Sequence, residues 1–244
     1  MSDIDMDPLL SPEPYGASQK VYFGIMRDLE AHRMVPGQRL IETDLAQRFG
    51  VGRNAVREAI QRLAVRGVVD PRRNKSPSIR VLDEAETHEI LDVASVMTGL
   101  LARTAAIRFD INNHGDALVS TMQVLNESRS EMDADTFSKA RRQFYRTLLI
   151  IGNNRELYRL FPAIGMHIIY SQFQSPLLRQ IRLADYRAIY DAVVARDPRG
   201  AELAGKRHVE HVRSVIGAVV ARDSITHRAA DFDVAREKGA LNSI

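Results

Sequence analysis

The strongest constraint in this chain is a pair of short amphipathic stretches joined by a glycine turn. Glu42–Phe49 has the spacing of a helix buried through Leu45, Ala46 and Phe49. Gly50-Val51-Gly52 breaks it, and Arg53–Arg66 resumes with an apolar stripe of Val56, Ala59, Ile60 and Leu63. Apolar residues recurring three and four apart commit one face of each helix to a core. Arg53, Asn54, Arg57 and Gln61 are left on the opposite face of the second helix. Two short helices set at an angle by a tight turn, the second presenting Arg and Asn outward, form a helix-turn-helix.

The flanking sequence extends the motif. Gln19–His32 has a helical stripe of Val21, Ile25, Met26 and Leu29, Pro36-Gly37 makes a turn, and Arg39-Leu40-Ile41 suits a short extended piece. Gly67 ends the third helix, since a left-handed residue costs glycine little. Val68–Asp70 and Ile79–Leu82 are strand-like, and between them Pro71–Pro77 is a basic turn. The sum is a winged helix over residues 19–82. Charge agrees: residues 20–80 hold thirteen Lys or Arg against six Asp or Glu, whereas residues 81–244 hold 21 of each sign. Positive charge gathered in one small module is what phosphate neutralisation requires.

Roles follow from chemistry. Arg53 and Arg57, in the half of the helix that would enter a major groove, can present a guanidinium fork to guanine or to phosphate. Asn54 can pair with adenine or a phosphate. Thr43, at the start of the second helix, is placed for a phosphate beside helix N-terminal amides. Arg72, Arg73 and Lys75 on the wing would follow the backbone or reach a minor groove. The competing expectation for Arg57 is an ion pair within the domain. Arg62 and Arg66 read as ordinary surface arginines.

After residue 83 the periodicity is helical throughout. Asp83 or one of its neighbours is placed to cap a helix running to about Phe109. Others are expected over His114–Met132 and Asp135–Ile150, then from Asn153 or Asn154 on through Ile169, then to about Arg196, and from Asp197-Pro198 onward. The fold class is therefore mainly α, a winged helix-turn-helix followed by an antiparallel bundle of six or seven helices. Residues 1–18 are expected to be a disordered acidic leader, 19–82 the DNA-binding domain, 83–222 the helical domain and 223–244 a weakly patterned tail. The chain has no cysteine, which excludes disulfides and thiol chemistry. No Ser-His-Asp context, phosphate-cradling loop or metal-spaced histidine cluster suggests an enzyme. No uninterrupted apolar run approaches the length of a membrane span, and His32 is expected to act as a favourable cation at a helix end.

The stretch PGQRLIETDLAQRFGVGRNAVREAIQRLAVRGVV closely resembles the DNA-binding domain of the GntR family of bacterial transcription regulators. Pro36, Gly37, Leu40, Glu42, Leu45, Gly50, Arg53, Arg57, Glu58, Arg62 and Gly67 hold matching positions. The resemblance implies that Arg53 and Arg57 are the principal operator contacts. Gly52 departs from the serine that usually caps the recognition helix, and Asn54-Ala55 departs from the usual Thr-Pro. QFYRTLLIIGNN and ADYRAIYDAVVARD resemble the FadR-type branch, whose helical C-terminal (FCD) domain binds ligand and dimerises.

Many members of that branch hold a divalent metal with one Asp and three His. The matching slots here are Arg141, Tyr145, Tyr186 and His208. Arginine is a permanent cation, and phenols are poor metal ligands at neutral pH. No metal or required cofactor is expected. The same four residues suit a small organic acid or similar anion, with donors set in an apolar shell.

The expectation is a cytoplasmic, nucleoid-associated bacterial repressor. It would be a homodimer on a pseudo-palindromic operator, modulated by a small anionic effector, with no enzymatic activity and no membrane partner. Two alternatives stay open: a DNA-binding regulator without effector, and a metal sensor whose site is rebuilt by His167 or His211.

Overall fold

A computed structural model describes residues 16–70, 76–127, 134–173 and 176–241. Three helices open the chain: α1 (Ala17–Glu30), α2 (Glu42–Phe49) and α3 (Arg53–Val65). Gly50 ends α2 at φ 62°, a left-handed conformation that glycine adopts without steric cost, and the chain turns there into α3. Strands β1 (Val69–Asp70) and β2 (Ser78–Ile79) pair antiparallel, Val69 opposite Ile79. Arg39 bridges Ser78, and Leu40 N–H donates to Pro77 O, so the extended piece before α2 joins the sheet as a third edge. The second strand is shorter than its apolar run suggested. Val81 is exposed, and Leu82 turns into the core of the next region. One core serves all these elements, built on Val21, Ile25, Leu29, Leu45, Val56, Leu63 and Ile79.

Seven helices follow among the described residues. These are α4 (Glu84–Arg108), α5 (Ile111–Glu127), α6 (Ala134–Gly152), α7 (Arg155–Leu160), α8 (Met166–Gln172), α9 (Pro176–Val194) and α10 (Pro198–Leu241). Asp83 starts α4 with a capping box: its side chain accepts from Glu86 N–H at 2.8 Å, while Glu86 accepts from Asp83 N–H at 3.1 Å. The connection between the two regions is pinned, because the Gln172 amide bonds both the N–H and the carbonyl of Leu82, at 2.9 and 2.8 Å.

Two expectations change. The apolar stripe from Leu157 to Ile169 does not lie on one helix. The chain passes from α7 through a 3-10 turn at Phe161–Ala163 to Gly165 at φ 83°, because Pro162 lacks a donor and the glycine reverses direction. The last helix continues to Leu241, and no proline after Pro198 interrupts it. Helix α4 reaches the length and apolar content of a membrane-spanning segment, although charged residues break its apolar runs. It packs along α10, where a Cβ at Gly205 would stand 2.7 Å from the Thr98 carbonyl oxygen.

Candidate functional site

The recognition face is built by burying the other side of α3. Val56, Ala59, Ile60 and Leu63 are in the core, while Arg53, Asn54, Arg57 and Gln61 are exposed. Gly52 precedes the helix without any side-chain cap, so first-turn amides stay available to a phosphate at the positive end of the helix. Arg57 Nε lies 2.8 Å from Glu42 Oε2, so the expected intradomain pair is present, yet the arginine side chain remains 59% exposed. Thr43 is exposed beside it, donating to Asp44 at 3.1 Å. The wing residues Arg72, Arg73 and Lys75 lie outside the described residues.

Arg62 and Arg66 are not simple surface arginines. Both guanidiniums sit over the Tyr22 ring, 5.1 and 5.7 Å from its centre, and Arg66 reaches the boundary with the helical region.

At that boundary lies a cavity of about 110 Å³ whose wall includes Glu30, Arg66, Arg141, Arg142, Tyr145 and His167. Arg141 is buried in α6, its guanidinium 4.2 Å from the centre of the Tyr170 ring and 3.6 Å from Glu30. Arg142 pairs with the other oxygen of Glu30. Tyr145, one helical turn after Arg141, brings its ring to 5.8 Å from Tyr186, whose ring lies tilted by 45° at 4.9 Å from that of His208. The four slots thus form one continuous cluster, but only Arg141 and Tyr145 reach the cavity wall. Tyr186 and His208 are wholly buried behind them.

Burial dominates the electrostatics. It raises both Tyr145 and Tyr186 above the ordinary phenol range, so both stay protonated donors. Burial, with Arg141 and Arg66 nearby, lowers His167 to about 4. His208 is also lowered by burial, against the opposing pull of Asp185, whose Oδ2 lies 3.1 Å from His208 Nδ1 and whose Oδ1 lies 2.8 Å from His211 Nδ1. His32 is no helpful helix-end cation: burial and Arg182, Arg179 and Arg141 all lower it.

This donor set does not fit a divalent metal. A guanidinium occupies one slot and protonated phenols occupy two, so His208 is the one side chain of the four suited to ligate a divalent ion. His211 bonds the same carboxylate, and His167 stands apart on the cavity wall. Among the described residues no group of three or more His, Asp or Glu is placed to hold an ion.

Sequence reasoning missed Glu30, Arg142, Tyr170 and Arg182. One signal was available. A carboxylate in the last turn of a helix opposes the helix dipole, so Glu30 at the end of α1 called for a cation from elsewhere in the chain.

The family model described as bacterial regulatory proteins, gntR family, matches residues 17–79, and the FCD domain model matches residues 89–211. The chain belongs to the GntR family. Among its relatives is the protein named "Probable D-xylose utilization operon transcriptional repressor" of Paenarthrobacter nicotinovorans, 26% identical over 76% of this chain and 82% of that one. The Uxu operon transcriptional regulator of Escherichia coli K12 is 26% identical over 73% and 78%. The solved structure of E. coli McbR/YncC shares the fold with TM-score 0.72 at 17% identity, covering 85% of this chain and all of that one. The GntR chain is thus a DNA-binding transcriptional regulator with an effector-binding FCD domain, from a family of regulators rather than enzymes.

Proposed function

We propose that this GntR regulator is a cytoplasmic, nucleoid-associated bacterial repressor, acting as a homodimer on a pseudo-palindromic operator. A small organic anion held at Arg141 and Tyr145 tunes its affinity, with Tyr186 and His208 fixing the wall behind. The observation that carries the reading is the division of α3 into a buried apolar face and an exposed Arg53-Asn54-Arg57 face. Two such faces related by a twofold axis read two half-sites. Arg72, Arg73 and Lys75 add phosphate contacts from the wing, and Thr43 adds one from α2. The operon repressor and operon regulator among its relatives support control of a target operon. The domains divide near residue 82, where the pinned Leu82 begins the helical half.

Support for the dimer comes from α4. Val93, Val96, Leu100 and Ile107 are exposed at intervals of three, four and seven, and Leu203 of α10 is exposed as well. An apolar stripe of that spacing is a helix-pairing seam. No metal is required in this reading.

The test is selection of binding sites from a random duplex library by the full chain and by Arg53→Ala/Arg57→Ala. The wild type is expected to enrich an inverted repeat, and the double variant is expected to enrich none. Equal enrichment by both proteins would overturn the assignment of the recognition face.

A further inference from the structure

Two acids sit in the last turn of α1, and both are buried. Asp28 is satisfied inside its own region, by Arg33 at 2.7 Å and Arg48 at 2.6 Å. Glu30 instead pairs with Arg141 and Arg142 of α6, across the boundary between the winged helix and the helical bundle. A second bond reinforces the contact, as Ser138 Oγ donates to the Glu30 carbonyl at 3.1 Å.

The cavity beside this clamp holds more positive than negative charge. Its wall includes the guanidiniums of Arg66, Arg141, Arg142 and Arg146 and one carboxylate, that of Glu30. His167 is buried on the same wall, and its Nε2 has no hydrogen-bond partner. Arg182, buried behind the wall, lies 3.9 Å from the centre of the Tyr170 ring that Arg141 also covers, and its Nε and Nη2 have no hydrogen-bond partner. Buried polar nitrogens without partners are costly, and His167 Nε2 is the one of these on the cavity wall. A cavity of about 110 Å³ is far below the several hundred Å³ of a drug-sized site. It suits an anion of a few heavy atoms, and two adjacent guanidiniums favour two negative charges.

We propose that Glu30 is a built-in occupant of the effector's anion site, and that a small doubly charged oxyanion displaces its carboxylate from Arg141 and Arg142. This rests on the effector reading above and deepens it. The ligand, a short dicarboxylate or a phosphate, competes with a side chain of the DNA-binding domain. Its binding therefore favours arrangements in which the winged helix is released from the bundle. The coupling is reciprocal: whatever holds Glu30 in the clamp weakens the ligand.

The test is calorimetric titration of the full chain with malonate and, separately, inorganic phosphate at constant ionic strength. If Glu30 fills the site nine-tenths of the time, Glu30→Gln binds about tenfold more tightly than wild type. Ser138→Ala keeps the carboxylate but loosens the docking, and is expected to tighten binding by a smaller factor. Arg141→Met is expected to abolish it. Response to malonate alone marks a carboxylate site, and response to phosphate alone marks a phosphoryl site; either supports the proposal. Binding that needs Arg141 but is unchanged or weaker in both Glu30→Gln and Ser138→Ala overturns the competition and leaves the effector reading standing. Binding indifferent to Arg141, or no binding of either probe to any variant, overturns both.

Discussion

The recognition face of α3 and the cavity beneath α1 are both built on arginine, and they use it in opposite ways. Arg53 and Arg57 stand on a helix whose far side is core, exposed to solvent and ready for a partner outside the chain. Arg141 is buried against Tyr170 and faces a carboxylate from another part of the same chain. Solvated cations are inexpensive to hold and give up little when they bind a phosphate. A buried cation needs a counter-charge at all times, and Glu30 supplies one. Exposed arginines here are free to meet a partner outside the chain, whereas the buried Arg141 pairs with Glu30 of another region of the same molecule.

The contrast breaks first at the recognition face. Each guanidinium placed against a base edge contributes about 1–3 kcal/mol of discrimination, so the Arg53→Ala/Arg57→Ala pair is expected to lower operator affinity by roughly a thousandfold. Circular dichroism should be unchanged, because neither side chain is in the core. Retention of wild-type affinity in fluorescence anisotropy would remove these residues from DNA reading.

Acid sensitivity is expected to belong to the buried side alone. His167 is held neutral in the folded chain, with its pKa lowered to about 4, and unfolding returns it to its ordinary value near 6.5. Between those values the unfolded chain binds the extra proton. Stability is therefore fully present above pH 6.5 and is lost as pH falls toward 4. The loss assigned to this residue is about 3 kcal/mol. Denaturant titrations at pH 7.5 and 4.5 should show a smaller acid loss in His167→Gln than in wild type. Equal losses would mean that the histidine is not buried as described.

A smaller effect is expected where α4 meets α10. Gly205→Ala would put a methyl group against the Thr98 carbonyl, which is backbone and cannot swing away. Overpacking of this kind costs about 1–3 kcal/mol. Thermal melting should show the penalty in the helical half and spare the winged helix.

The smallest effects belong to the wing. Arg72→Ala and Arg73→Ala should each weaken binding to all duplexes alike and flatten the salt dependence of log K by about one unit. A change in sequence preference instead would make them base readers.

The two regions also differ in how far the sequence discloses them. The winged helix was legible because its signals are local: an apolar stripe of Val56, Ala59, Ile60 and Leu63, a glycine turn, and charges on the face left over. In the helical half the capping of α4 by Asp83 was equally local, and so was the spacing of Arg141 and Tyr145. Periodicity carried the Leu157–Ile169 stripe straight through Pro162 and Gly165, where the backbone breaks. The clamp was invisible for a different reason. Glu30 and Arg141 lie on helices far apart in sequence, and each reads alone as a surface charge. Only the docking of α1 on α6 and α8 removes both from water and makes them partners.

Arg141, Tyr145, Tyr186 and His208 are proposed as an organic anion site where many relatives in this branch hold a metal. Native mass spectrometry of the purified full chain, paired with elemental analysis, tests it most directly. The expected result is an intact dimer without stoichiometric divalent metal, carrying at most a small organic mass that Arg141→Met abolishes. One zinc, nickel or manganese per chain, retained in Arg141→Met and lost in His208→Ala, would contradict it.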